Sequence, residues 1–196
     1  MPFTVLTVCT GNICRSPAVE TLLRHVLDAS VTVGSAGTNA LVGHPIAEPM
    51  ARLLAANGFP PADFAARQLT PELISGADLV LTLTPAHRAW VVDRVPAAVR
   101  RTLTVMELGR LSSTLVPGAV VGQDDAARLA ALVSAALLER PRHAGRHHDD
   151  GVVDPYGRSA AAYRRSYDQI LEALTPIMNA LRAEPPGGAE FTRGAQ

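Results

Sequence analysis

The stretch from Phe3 to Pro17, FTVLTVCTGNICRSP, restricts the fold more than any other part of the chain. Its first half, Phe3 to Val8, is short, apolar and rich in Val, Leu and Thr, as expected of a strand buried in a parallel sheet. The run ends in a glycine-containing turn. Ser16 and Pro17 then read as the N-cap and first-turn residue of a helix with Val19, Leu22, Leu23, Val26 and Leu27 on one face. A strand that enters a helix through one tight loop is the opening unit of an α/β fold.

The alternation continues down the chain. Val31 to Ser35, Asp78 to Leu83 and Thr102 to Val105 read as further strands, and Pro45 to Asn57, Pro71 to Ser75 and Ala86 to Arg94 as helices. The pattern predicts a doubly wound α/β domain, a mainly parallel four-stranded sheet flanked by helices, with a phosphate-binding loop after the first strand. Such sheets bind ligands beyond the carboxyl ends of their strands, where Cys9 lies. Gln123 to Glu139 is Ala/Leu-rich and helical in pattern, with a Leu/Val stripe that reads as core packing. The chain then breaks at Pro141 into the polar run RHAGRHHDDG, and a last helix is expected from about Ser159 to Arg182, kinked or ended near Pro176. Residues 1–183 read as one domain and 184–196 as a disordered tail.

Charge decides which partners are excluded. Lys and Arg number 18 and so do Asp and Glu, so no net field draws the chain to nucleic acid or to an anionic membrane. Any anion must be gripped locally. No run approaches the ~20 apolar residues of a membrane span, and the N-terminal run lacks the basic flank and cleavage site of a secretory leader. The two cysteines, Cys9 and Cys14, form a poor disulfide framework and fit thiols kept reduced in the cytoplasm. His143, His147, His148, Asp149 and Asp150 lack regular ligand spacing and read as a solvated loop, so no metal is assigned.

The loop itself carries chemistry. Between a strand end and a helix N-terminus, the backbone N–H groups of Thr10, Gly11, Asn12, Ile13, Cys14 and Arg15 can converge on one anion, with the helix dipole adding positive charge. At the base of that cradle, Cys9 feels a field that favours a thiolate. The planar guanidinium of Arg15 can hold two phosphate oxygens. Gly11 and Asn12 tolerate backbone conformations that other residues resist, and the Ser16 hydroxyl can donate to the Cys9 sulfur. Cleaving a phosphomonoester also needs an acid for the leaving oxygen. Asp154 in VVDPYG, restrained by the following proline, is the candidate, and Tyr156 can form one wall of a cleft for an aromatic group. Taken singly, Cys9 is equally a buried hydrophobe, Arg15 a solvated charge, Asp154 a turn former and Tyr156 a residue packed on the last helix.

Together with GSAGT at Gly34 to Thr38, ARQLT at Ala66 to Thr70, ADLVLTL at Ala77 to Leu83 and DPYG at Asp154 to Gly157, CTGNICRSP resembles the signature of the low-molecular-weight protein tyrosine phosphatases. The resemblance covers most of Pro2 to Arg182 and weakens over 108–153, which reads as a longer, divergent insert region. It implies Cys9 as nucleophile, Arg15 as transition-state clamp, Asp154 as general acid and no metal or organic cofactor. Its implied substrate is a phosphotyrosine-containing protein, such as a bacterial tyrosine kinase. Ile13 stands where members acting on phosphotyrosine carry an aliphatic residue and related arginine phosphatases a threonine. Two departures are visible. Ala40 and Leu41 replace an aromatic that often follows the SAGT-like segment, and Phe64 replaces a histidine that braces the loop asparagine, leaving Asn12 to lean on Ser16 and Ser35. The family also implies a protective disulfide between Cys14 and Cys9, whereas Cys14 alone reads as a small buried residue at a helix start. Two other functions stay open, an arsenate reductase using an external small thiol and a noncatalytic phosphate-binding module.

Overall fold

The computed structural model describes residues 2–61, 63–143 and 150–183. Strands β1 (Phe3–Cys9), β2 (Val31–Gly37), β3 (Leu79–Thr82) and β4 (Thr102–Thr104) form one sheet in the order β2-β1-β3-β4, with every pairing parallel. The side-chain period of two divides β1 between two cores. Val5 and Cys9 face the larger core, while Leu6 and Val8 face the smaller one with Ala36, Leu69, Ile74, Val80 and Val91. The larger core is closed by α1 (Arg15–Val26), α2 (Glu48–Ala56), α5 (Val105–Ser112), α6 (Asp125–Glu139) and α7 (Ala160–Arg182), the smaller by α3 (Pro71–Ser75) and α4 (Pro85–Arg94). Because β2 and β3 lie on opposite sides of β1, the strand order switches at the carboxyl end of β1, where a crevice opens.

Several features differ from the sequence expectation for local reasons. Helix α1 begins at Arg15 rather than after a Ser16 cap, and no side chain caps it, because the Ser16 hydroxyl is engaged with Cys9 and Asn12. On its far end Val26 is exposed instead of joining the apolar face. Helix α2 starts at Glu48, because the segment before it is held extended by a bond from Ala47 N–H to Ile13 O of 2.7 Å. Val105 opens helix α5, which the sequence pattern did not reveal, with Thr104 accepting from Glu107 N–H as its cap. Gly109 lets α5 press against the backbone of α7 at Ala173, and a β-carbon there would collide with that carbonyl. Finally, α7 runs unbroken past Pro176. The bond that proline removes is outweighed by burial of Ile170, Leu174, Ile177 and Leu181, at roughly 1.5–3 kcal/mol for each large apolar side chain.

Helix α6 belongs to the same core as the rest, with Leu129, Leu132, Val133 and Ala136 buried. Its start is fastened by Asp125, whose buried carboxylate accepts from Arg182 of α7 and from Asp28 N–H after α1. Those donors hold the Asp125 carboxyl below its ordinary range. Of the His/Asp run, His147, His148 and Asp149 lie outside the described residues, as do residues 184–196. Asp150 forms a 2.9 Å ion pair with Arg110. No helix among the described residues is long and apolar enough to cross a membrane, and no metal-binding group of side chains occurs among them.

Candidate active site

The loop after β1 is held from behind through its carbonyls. Cys9 O accepts from Thr38 N–H at 2.9 Å, Thr10 O from Asn39 N–H at 3.0 Å, Gly11 O from Leu41 N–H at 3.0 Å and Ile13 O from Ala47 N–H at 2.7 Å. A trans peptide points its N–H opposite its carbonyl. With these carbonyls tied to the 38–47 segment, the N–H groups of Thr10, Gly11, Asn12 and Cys14 are turned to the other side, toward the mouth of the crevice. The segment can come this close because residue 37 is glycine. A β-carbon there would overlap Thr10 O and press on Asn12 N.

Asn12 supplies the sharp turn, with φ at +54°, among the few conformations that asparagine accepts more readily than other side chains. Its amide is fully used. Nδ2 donates to Ser16 Oγ at 2.9 Å and Ser35 Oγ at 2.8 Å, and Oδ1 accepts from Arg67 N–H at 2.9 Å. The Ser35 hydroxyl in turn donates to Glu20 Oε2 at 2.6 Å, and Arg67 Nε donates to Ser35 O at 2.7 Å. Ser16 Oγ lies 3.0 Å from Cys9 Sγ. Phe64 packs against the large core and gives Asn12 no bond, so the serines and the Arg67 backbone do the bracing.

Asp154 reaches the crevice because the strand-like segment before it is pinned. Val152 N–H donates to Leu83 O just past the end of β3 (2.8 Å), and Val153 N–H to the Gln169 side chain of α7 (2.9 Å). Asp154 Oδ2 sits 2.7 Å from an Arg15 terminal nitrogen, and Oδ1 accepts from Tyr156 N–H at 3.2 Å. The other Arg15 terminal nitrogen donates to Val152 O at 3.3 Å, and Arg15 Nε is buried without a partner among the described residues. A cavity of about 160 Å³ opens here, lined by Cys9 at its base, by Arg15 and Asp154, and at its mouth by Leu41 and Tyr156.

Cys14 is buried beside the cradle with its thiol donating to Tyr163 Oη at 3.8 Å. Burial pushes the Cys14 thiol up to about 11, and burial together with that bond pushes Tyr163 up to about 12, so both stay protonated at neutral pH. Both cysteines are free. His87, in the first turn of α4, bonds Thr10 Oγ1 through Nε2 at 2.9 Å and Thr84 Oγ1 through Nδ1 at 2.8 Å. Burial and then the nearby Arg15 charge push His87 down to about 4. An unfolded histidine takes up a proton near 6.5 while the folded one refuses it, so this residue subtracts stability as pH falls from about 6.5 toward 4.

Of the candidate site residues, Cys9, Thr10, Gly11, Ile13, Cys14, Arg15, Asp154 and Tyr156 line one crevice, while Asn12, Ser16 and Ser35 are buried behind the loop and brace it. The structure adds four that the sequence reading passed over. Gly37 and Arg67 were visible only as parts of GSAGT and ARQLT, and Glu20 and His87 act through bonds to residues distant in sequence, which no spacing rule exposes.

A family model described as low molecular weight phosphotyrosine protein phosphatase matches residues 4–112. The low molecular weight protein-tyrosine-phosphatase Etp of Escherichia coli strain K12 is 41% identical over 99 residues, 50% of this chain and 66% of its own length. A protein-arginine-phosphatase of Geobacillus stearothermophilus is 36% identical over 184 residues, covering 94% of this chain and 99% of that protein. Among solved structures, the tyrosine phosphatase Wzb from Escherichia coli K30 in complex with sulphate superposes with a TM-score of 0.66 at 25% identity, covering 92% of this chain and 99% of that one.

Proposed function

Because the chain belongs to the low molecular weight phosphotyrosine protein phosphatase family, we propose that it hydrolyses phosphotyrosine in proteins through a phosphocysteine intermediate. The observation that carries this reading is Cys9 Sγ lying within 3.0 Å of the Ser16 hydroxyl at the base of the amide cradle, with Asp154 across the same cavity. The Cys9 thiolate attacks phosphorus in line with the ester oxygen. The cradle amides and Arg15, whose buried Nε–H has no acceptor among the described residues, hold the non-bridging oxygens as charge builds on them. An incoming phosphate dianion competes for the Arg15 guanidinium and releases Asp154, 2.7 Å away; freed from that ion pair, the carboxylate takes a proton from solvent, turns to the leaving oxygen and protonates it. The P–O bond breaks as the S–P bond forms. Asp154, now ionised, takes a proton from water as that water attacks phosphorus, and Cys9 leaves as thiolate, eased by the Ser16 hydroxyl.

The ring of the substrate fits between Tyr156 on one side and Leu41 with Ile13 on the other. An aliphatic Ile13 and an aromatic wall favour a phenyl ring over a guanidinium, which gains more from polar partners at the slot. The protein-arginine-phosphatase that aligns along nearly the whole chain keeps phosphoarginine as the second reading. Initial rates on matched phosphotyrosine and phosphoarginine peptides, in reductant and chelator, separate the two. Faster turnover of phosphotyrosine is expected, and the reverse order overturns the assignment. Arsenate reduction would need an external small thiol, since the chain has no cysteine besides Cys9 and Cys14. The same assay with arsenate and glutathione tests it. Two free thiols fit a reducing cytoplasm, and the partner would be a phosphotyrosine-bearing protein.

Tyr156 is 59% exposed and contributes little to the core. Tyr156→Ala should therefore leave thermal stability near the parent value while raising KM for a phosphotyrosine peptide about 3- to 10-fold, the worth of one aromatic contact. An unchanged KM would remove Tyr156 from the slot.

A further inference from the structure

We propose that His87 is a positioning residue for the phosphate loop: its neutral imidazole grips the Thr10 side chain across the crevice and directs the Thr10 hydroxyl proton to the bound oxyanion. The kinetic part of this rests on the phosphatase reading above. The geometry begins with the sheet. Strands β1 and β3 are neighbours and parallel, so the loop after β1 and the first turn of α4 after β3 face one another over the carboxyl edge. Thr10 is the first cradle residue beyond Cys9 and is exposed on its own loop, whereas His87 is only 7% exposed. Burying an imidazole is costly unless both nitrogens are satisfied, and here both are, by Thr84 and Thr10.

One direction of the chain gives every proton in it an acceptor. As N-cap of α4, Thr84 Oγ1 already accepts from His87 N–H at 3.2 Å. Its own proton then finds Nδ1 of the same residue, 2.8 Å away, as acceptor. Nδ1 being unprotonated, the neutral ring carries its proton on Nε2 and donates it to Thr10 Oγ1 at 2.9 Å. The Thr10 hydroxyl, accepting from histidine, has its proton left to give, and Thr10 lines the cavity above Cys9. A histidinium could not accept from Thr84 and would sit in the field of Arg15. Arg15 and Asp154 are the charged groups that face the ring, and Arg15 has the larger influence, opposing protonation. The clamp therefore keeps one protonation state across the neutral range, while its anchor on α4 stops the Cys9–Thr10 peptide from swinging out of the cradle.

The test uses the full chain. His87→Leu should lower kcat/KM on a phosphotyrosine peptide about tenfold, the effect of one well-placed hydrogen bond. His87→Gln, whose amide can still reach Thr10, should recover most of that loss. Thr10→Val should match His87→Leu, and the double variant should be no worse than either alone. Long-range nitrogen–proton NMR of the wild type should show His87 neutral with its proton on Nε2 from pH 5 to 8, and that signal should shift when inorganic phosphate is added. Parental activity in His87→Leu, a loss that glutamine does not rescue and that adds to Thr10→Val, or a proton on Nδ1 would each overturn the inference. Failure of the wild type to turn over any phosphopeptide would sink the phosphatase reading instead, and the NMR result would still decide the tautomer and the link to phosphate.

Discussion

A Cys9→Ser chain is expected to hydrolyse a phosphotyrosine peptide at least about 10⁴-fold more slowly than the parent, because a serine hydroxyl is a far weaker nucleophile and a poorer leaving group than cysteine sulfur. The substitution exchanges one small buried atom for another at a position 2% exposed, so the fold should survive. Near-ultraviolet circular dichroism and the melting temperature check this alongside the rates. Phosphate binding should persist in the serine variant, since the cradle is made of backbone amides and Arg15 and not of sulfur. A serine variant that retained a tenth of parental turnover would show that another group attacks phosphorus.

The second large effect concerns Asp154. Asp154→Asn removes the proton that the leaving oxygen needs and should cost about 10²- to 10³-fold in kcat on phosphotyrosine, within the range of general acid catalysis. The loss should shrink for aryl phosphates with acidic phenols, which leave without help. Because the Asp154 side chain is 46% exposed, its ion pair with Arg15 contributes no more than about 1 kcal/mol to stability, and the melting temperature should barely change. A loss that stayed the same across leaving groups would assign Asp154 to orienting Arg15 rather than to proton transfer.

Much of this was legible in the sequence, and the reason is physical. The strand, loop and helix of Phe3 to Leu27 are local, so alternation of apolar and turn residues announces them, and parallel pairing follows from the repeated strand–helix order. The loop chemistry is local too, because Cys9, Asn12, Arg15 and Ser16 all lie in the single short stretch from Cys9 to Ser16. What stayed hidden is long-range or short. Helix α5 spans only Val105–Ser112 and contains Gly109, whose value appears only where α7 presses on it. Ser16 was expected as a cap and instead bonds Cys9 and Asn12, so a residue with strong capping propensity was taken by the site. Pro176 was expected to bend or end a helix that core burial carries through to Arg182. His87 carries no signal in TPAHRAW, because its partner Thr10 lies on a different strand's loop.

The two-step character of the reaction is tested most directly by a rapid denaturing quench of the working enzyme, followed by mass spectrometry of the peptide containing Cys9. During turnover of a phosphotyrosine peptide, one phosphoryl group should appear on Cys9, accumulate further in Asp154→Asn when the leaving group is a good one, and be absent from Cys9→Ala. Steady hydrolysis with no phosphoryl group on Cys9, or with the group on another side chain, would contradict the account.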